Sequence, residues 1–185
     1  MQILKSLILS VCFLFLSACG SGETQIDSRR VFDLWSYMTS SSNYEVTYDV
    51  YENGINTGSY LETHRQFGDQ YREQSASGTT NLFLTSNTIL MSEPTGNIDI
   101  IRYVYLGDRG VFQSSSIQLC SFERFYDSFT IKNSIFYNVI QITCTNIDGS
   151  YQEFYYGYDE GFVAMYKKVG TLEIENVKVS ERVIL

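Results

Sequence analysis

Histidine is almost missing from this chain, because His64 is the only one among 185 residues. A zinc site would need several further ligands, and the sequence has neither an H-E-x-x-H nor a C-x-x-C motif. It also has no G-x-S-x-G nucleophile elbow and no glycine-rich phosphate loop. We therefore expect a non-catalytic protein that needs no metal or cofactor, and we expect His64 to lie exposed on a strand.

Basic residues are also scarce. The chain has 13 Lys and Arg against 21 Asp and Glu, which gives a formal net charge of −8. Nucleic-acid binding depends on Lys and Arg that displace counterions from phosphates, and no basic stripe occurs in this sequence. The composition therefore argues against nucleic acid as a partner, and an acidic surface is a poor binder of anionic lipid headgroups.

Long apolar runs are absent as well. The apolar stretch at residues 7–16 is far shorter than the roughly 20 residues that a membrane-spanning helix needs. Lys5 precedes this stretch and small residues follow it, which is the arrangement of a secretory signal segment. We expect residues 1–18 to be a signal peptide.

The end of that segment reads Leu16-Ser17-Ala18-Cys19. It resembles the lipobox of bacterial lipoproteins, in which the cysteine receives a diacylglycerol thioether and becomes the acylated N-terminus. The resemblance implies lipidation of Cys19 (palmitate among the acyl chains) and membrane attachment through it, with residues 19–27 as a short tether. Gly20 in place of Asp implies sorting to the periplasmic face of the outer membrane. The alternative is an ordinary signal peptide with a chance cysteine.

Two of the four cysteines remain for the rest of the chain. Cys12 lies in the signal segment and Cys19 is the lipidation candidate, which leaves Cys120 and Cys144 as an even pair in an exported protein. We expect them to form a disulfide. Two buried thiols or a redox site are the competing interpretations.

One amphipathic helix is predicted over residues 28–38. Val31, Leu34, Trp35 and Met38 recur at helical spacing and form one apolar stripe. The polar face lacks the Lys and Arg richness of a membrane-surface helix, so the pattern favours a helix docked on a sheet.

From Tyr44 onward the apolar pattern has a period of two, which is typical of half-buried strands. The segments are separated by short turn signals rich in Gly, Asp and Asn, so neighbouring strands should be antiparallel. The candidate strands lie near 44–50, 58–64, 69–75, 79–85, 87–92, 98–106, 116–122, 127–132, 135–145, 150–158, 161–168 and 171–183. The fold class is therefore mainly β: a single domain over residues 28–185, built as a curved antiparallel half-barrel or barrel with one N-terminal helix packed on it.

Tyrosine is unusually abundant in this sequence, which has 15 tyrosines and one tryptophan. Tyrosine combines apolar area with a polar tip, which suits a ligand cavity or a protein contact surface, although strands enrich it without any ligand. The candidates for such a surface are Tyr103, Tyr105, Tyr151, Tyr155, Tyr156 and Tyr158.

These observations predict an envelope lipoprotein whose β domain binds a hydrophobic ligand or lipid. The alternative is a structural or assembly protein that contacts another envelope protein through a tyrosine-rich face. An enzyme fits the sequence least well.

Overall fold

The computed structural model describes residues 30–184. The predicted signal peptide, the lipidation site Cys19 and the tether up to residue 27 lie outside the described residues. The elements of the described chain are β1 (Phe32–Asp33), α1 (Trp35–Met38), β2 (Tyr44–Glu52), β3 (Ile55–Phe67), β4 (Gln70–Ser75), β5 (Gly78–Leu84), β6 (Thr88–Glu93), β7 (Gly96–Ile101), β8 (Tyr103–Val104), β9 (Phe112–Gln113), β10 (Ile117–Ile131), β11 (Ser134–Asn146), β12 (Tyr151–Gly157), β13 (Gly161–Val169) and β14 (Leu172–Val183).

The described strands form one large antiparallel sheet of 12 strands and a separate pair of two. The large sheet has the order β10-β11-β12-β13-β14-β2-β3-β4-β5-β6-β7-β9. Sequential strands are neighbours from β2 to β7 and from β10 to β14, and the last strand β14 pairs with β2, which joins the two runs into one meander. This arrangement confirms the predicted antiparallel β fold.

The two edges of the large sheet come together through residues 107–111. The Gly110 N–H donates to the carbonyl of Cys120 (2.7 Å), and the Phe122 N–H donates to the carbonyl of Asp108 (2.9 Å). These bonds connect the segment before β9 to β10, so the sheet curls into a nearly closed barrel. Closure removes the exposed edges that would otherwise invite pairing with other chains.

The helix is shorter than the sequence predicts. Only Trp35–Met38 is helical, because Phe32 and Asp33 pair with β8 and the Leu34 N–H donates to the carbonyl of Arg102 at 2.8 Å. The predicted buried stripe is correct for Leu34, Trp35 and Met38, which lie in the main core, but it is wrong for Val31, which is half exposed because it precedes the helix. Within residues 30–184, no helix is long and apolar enough to cross a membrane.

Two other strand predictions are wrong in their extent. The predicted strands 116–122 and 127–132 are one strand, β10, which continues through a register shift between Phe122 and Arg124. The predicted strand 98–106 stops at Ile101, because Arg102 turns away and makes two hydrogen bonds to the Asp33 carboxylate (3.0 and 2.7 Å). In the first case a bulge shifts the register without ending the strand, and in the second a contact distant in sequence ends it; the apolar pattern reveals neither.

Cys120 and Cys144 are directly paired across β10 and β11, and they form a disulfide. This confirms the prediction and excludes the two free thiols that were its alternative. The bond lies inside the main core, where both residues are buried.

The hairpin of β10 and β11 extends beyond the barrel and packs on the outside of the sheet. Tyr126 and Phe129 of this hairpin join Tyr155 and Val163 in a second buried cluster. Near the hairpin tip, the Lys132 ammonium lies 4.5 Å from the centroid of the Tyr51 ring and pairs with Glu175. The barrel therefore has packing on both faces along β12 and β13.

Candidate ligand-binding cavity

The barrel contains a cavity of about 830 Å³ that is partly open to solvent and lies between β3–β7 on one side and β11–β13 on the other. Its apolar lining includes Met38, Leu82, Met91, Ile98, Phe112, Ile117, Phe154, Tyr156, Phe162 and Met165. Its polar lining includes Glu62, Glu73, Thr80, Glu93, Thr95, Ser116, Asn146, Asp148, Gln152 and Lys167.

Strand register sorts these side chains into layers. Leu82 pairs with Met91, and Met91 pairs with Ile98, so one apolar row runs across β5, β6 and β7. Alternate residues of a strand share a face. Compared with this apolar row, Glu73 and Glu93 lie one inward-facing position closer to the turns that follow β4 and β6. The cavity is therefore apolar at depth and acidic towards that end of the barrel.

Glu62, Glu73 and Glu93 form the acidic row, contributed by β3, β4 and β6. Burial, together with the smaller effects of the neighbouring charges of Glu62 and Glu93, raises the pKa of Glu73 to about 8. At neutral pH the Glu73 carboxyl is therefore mostly protonated, and it can donate a hydrogen bond into the cavity.

His64 lies beside this row and is fully buried, so the expectation of an exposed strand residue is wrong. Its ring stacks on Tyr44 and its Nδ1 lies 3.1 Å from the Tyr71 hydroxyl. Its Nε2 forms no hydrogen bond with any residue of the described chain, although Oε2 of Glu62 is 3.3 Å away. Oε1 of Glu73 is 3.7 Å from Nδ1. The histidine is thus enclosed by aromatic rings and two carboxylates.

The hydroxyls of Tyr44 and Tyr71 are 2.9 Å apart and continue this network into the core. Tyr44 also donates to the carbonyl of Glu160 (3.0 Å), and Tyr48 donates to the carbonyl of Phe162 (3.0 Å). Burial raises the pKa of all three tyrosines, so their hydroxyls stay protonated and act as fixed donors. The network anchors the inner faces of β2, β4 and β13 to one another.

The opposite wall carries the positive charge of the cavity. Lys167 lies on β13, and it is the one Lys or Arg among the described residues that line the cavity. Asp148, in the loop after β11, accepts hydrogen bonds from the Ser150 N–H (2.9 Å) and hydroxyl (2.7 Å), which lower the pKa of its carboxyl. The lining thus holds four acidic side chains, of which Glu73 is mostly protonated, and one lysine. Within residues 30–184, no three His, Cys, Asp or Glu side chains are arranged to hold a metal ion.

Of the six tyrosines selected from the sequence, Tyr156 lines the cavity. Tyr151 and Tyr155 lie on the opposite face of β12, where their hydroxyls donate to the Glu153 carboxylate at 2.6 and 2.5 Å. The ring of Tyr155 is buried under the β10–β11 hairpin, where it stacks on Phe129 at 4.4 Å between centroids.

The other three lie elsewhere on the molecule. Tyr158 is exposed in the turn after β12 and contacts the edge of Tyr37. Tyr103 and Tyr105 are exposed in and after β8, with the Arg102 guanidinium 4.7 Å from the centroid of the Tyr103 ring. The structure therefore does not bring the six tyrosines together into one surface.

Sequence reasoning missed the acidic row and His64. The available signal was alternation: Tyr60, Glu62 and His64 occupy every second position of one strand, as Tyr71 and Glu73 do of the next. Because each aromatic residue marks the inward face of its strand, the polar residues in the same alternation had to point inward too.

No family model matches the sequence, and no curated protein matches it. Among solved structures, the chain is similar to the crystal structure of a "putative exported protein with YmcC-like fold" from Bacteroides fragilis. The sequence identity is 12% and the TM-score is 0.46, with 79% of this chain and 98% of that chain covered.

Proposed function

We propose that this protein is a lipid-anchored protein of the bacterial cell envelope whose barrel binds a hydrophobic ligand or lipid without transforming it. The observation that carries the proposal is the interior cavity with its apolar row of Leu82, Met91 and Ile98. Cavities that hold small molecules are lined mainly by apolar side chains, with a few polar groups that orient the ligand.

The size of the cavity supports a ligand rather than a packing defect. Protein interiors are close-packed and contain few voids larger than a water molecule. A volume of about 830 Å³ lies within the range of roughly 300–1,000 Å³ found for ligand sites. The surrounding side chains are held by strand pairing and by the buried tyrosine network, so the space is part of the barrel architecture.

The envelope location rests on two features. Leu16-Ser17-Ala18-Cys19 supplies a lipidation site, and several acyl chains on one cysteine would hold a protein on a membrane essentially permanently. The Cys120–Cys144 disulfide supports an oxidising compartment outside the cytoplasm. We place the barrel at the periplasmic face of the outer membrane, because Gly20 follows the cysteine.

The raised pKa of Glu73 favours a second candidate, an enzyme that uses this carboxyl as a general acid. Binding is preferred because His64 hydrogen-bonds Tyr71 rather than a serine or cysteine, and because the groups nearest Glu73 include two further carboxylates. The sequence alternative, a tyrosine-rich contact face for an envelope protein, remains an outcome of the test below.

Native mass spectrometry of the full-length protein, purified from envelope membranes in detergent, tests the proposal. Wild type should carry a bound small molecule or lipid. Ile98→Trp should lose it, because the larger ring fills the cavity beside Met91. The matched control is Leu61→Trp, since Leu61 is exposed on the outer face of β3, and this variant should retain the ligand.

Three results would count against binding of a hydrophobic ligand. Wild type without any bound small molecule would contradict it. A co-purified protein in place of a ligand would support the contact-face alternative. A Glu73→Gln variant that carries a chemically different ligand mass from wild type would indicate turnover and support the enzyme.

A further inference from the structure

The acidic row lies where the polar head of an amphiphile would sit. Glu73 and Glu93 lie near the turns that follow β4 and β6, Glu62 pairs with Ser75 beside the first of these turns, and the apolar row of Leu82, Met91 and Ile98 begins one inward-facing position deeper. An amphiphile in this cavity would place its chain against the apolar row and its head against Glu73 and Glu93. The layering thus fixes the orientation of the ligand, and the charge of the row selects its head.

The basic side chain nearest the row is that of His64, whose Nε2 lies 3.3 Å from Oε2 of Glu62 and whose Nδ1 lies 3.7 Å from Oε1 of Glu73. None of Glu62, Glu73 and Glu93 forms an ion pair with a Lys or Arg of the described chain, and Glu93 accepts a long hydrogen bond from the Thr95 hydroxyl at 3.3 Å. Like charges in a partly buried site repel one another and are stabilised when an opposite charge joins them. An added cation would relieve this repulsion.

His64 provides an independent indication that the row is incomplete. Its Nε2 is fully buried, forms no hydrogen bond with any of residues 30–184, and is directed at Glu62, which lines the cavity. Buried polar atoms without a partner are rare in native proteins and often mark a site where an unseen group binds. A ligand that donates a hydrogen bond to the Glu62 carboxylate would change the contact between Glu62 and Nε2 of His64.

We infer that the cavity binds an amphiphile with a cationic amine head, which Glu62 and Glu93 of the acidic row hold while its apolar chain lies against the apolar row of Leu82, Met91 and Ile98. This inference rests on the proposed function and names the chemical class of the ligand. Ammonium groups donate up to three hydrogen bonds, which matches a row of acceptors contributed by three strands.

The same geometry disfavours fatty-acid anions. Lys167 on the opposite wall is a single positive charge, and Asp148 lies on that wall as well. At neutral pH an anionic head would therefore meet the carboxylates of Glu62, Glu93 and Asp148, the protonated Glu73 and one lysine. A neutral alcohol would gain the apolar contacts without the ionic contribution.

Thermal unfolding of the purified full-length protein in a neutral maltoside detergent tests the inference. Unfolding can be followed by the fluorescence of Trp35, the single tryptophan, which is buried in the core. Octylamine, octanol and octanoate share one chain length and differ in the charge of the head. At pH 7 a saturating ligand raises the midpoint, and we expect octylamine to raise it by about 4 °C or more, octanol by less and octanoate least.

The Glu62→Gln/Glu93→Gln variant should lose the advantage of octylamine over octanol. The matched control is Glu52→Gln/Glu123→Gln, which removes two exposed carboxylates outside the cavity and should keep it. If the double variant does not fold, added sodium chloride serves instead, because it should reduce the octylamine shift more than the octanol shift.

Equal shifts by octylamine and octanol, or a larger shift by octanoate, would overturn the inference while leaving the hydrophobic-ligand proposal intact. No shift with any of the three compounds, together with no ligand on wild type in native mass spectrometry, would overturn both. Retention of the amine preference in Glu62→Gln/Glu93→Gln would also contradict the inference, because it would locate the amine elsewhere.

Discussion

The His64 ring lies face to face on the Tyr44 ring, with centroids 4.7 Å apart and an interplanar angle of 5°. The two residues are direct register partners on β2 and β3, and both are buried. This stack connects the tyrosine network of the core to the acidic row of the cavity. A substitution in the tyrosine network or in the acidic row should therefore change the stability of the barrel.

The first prediction concerns the hydroxyl of Tyr71, which contacts both the Tyr44 hydroxyl and His64 Nδ1. Tyr71→Phe should lower the free energy of unfolding by about 1–3 kcal/mol, because it leaves buried polar groups without their partner. Urea denaturation measures this change. Tyr103→Phe is the control, since Tyr103 is exposed and should change the stability by less than about 0.5 kcal/mol. Equal effects of the two substitutions would contradict the role of the buried network.

The second prediction concerns the pH dependence that Glu73 introduces. Its pKa is about 8 in the folded protein and 4.5 as the ordinary value, so between these values the folded state holds a proton that the unfolded state has lost. The free energy of unfolding should therefore fall as the pH rises through this window, by up to about 1.4 kcal/mol per pH unit. Glu73→Gln should flatten the slope.

Urea denaturation at several pH values between 5 and about 8.5 measures this slope, with Glu52→Gln as an exposed control. The control should keep the slope of the wild type. A slope that persists in Glu73→Gln would assign the pH dependence to other groups, with Glu62 and Glu93 as the next candidates.

The third prediction concerns the disulfide between Cys120 and Cys144, which joins residues separated by 24 positions. Cys120→Ser should destabilise the oxidised protein by about 3 kcal/mol, because the cross-link restricts the unfolded chain. The midpoint of thermal unfolding measures the effect. With reductant present, wild type and variant should differ much less; an equally large difference under both conditions would attribute the effect to core packing instead.

The fourth prediction concerns membrane attachment through Cys19. Cys19→Ala should leave the protein unprocessed or released from the membrane, because no acyl chains can be added. Cys12→Ala is the matched control, since Cys12 lies within the signal segment and should leave processing unchanged. Cell fractionation with immunoblotting measures both. A fully processed, membrane-bound Cys19→Ala protein would contradict the lipobox assignment.

Local patterns in the sequence were sufficient to predict the architecture. Alternation between apolar and polar residues determines which face of a strand is buried, and the Gly, Asp and Asn residues of the connections enforce tight antiparallel turns. Cys120 and Cys144 were identified as a pair because disulfides form in exported proteins and these two cysteines remained once the other two had been assigned. These inferences succeed because each depends on neighbours in the chain or on composition.

The ends of the strands and of the helix were harder to predict from the sequence. The helix is limited to Trp35–Met38 because the preceding residues pair with β8, which is about 70 positions away in the sequence. The end of β7 is decided in the same region by the ion pair between Arg102 and Asp33. A pattern within ten residues carries no information about such distant partners.

The sequence by itself determined a mainly antiparallel β chain with a single disulfide candidate, because periodicity and composition express the local rules of burial. Only the tertiary structure decided that Glu62, Glu73 and Glu93 converge on one cavity and that His64 is buried among them. These residues meet because the sheet curls until β3–β6 face β11–β13, and the contents of that interior depend on register and curvature across the whole barrel.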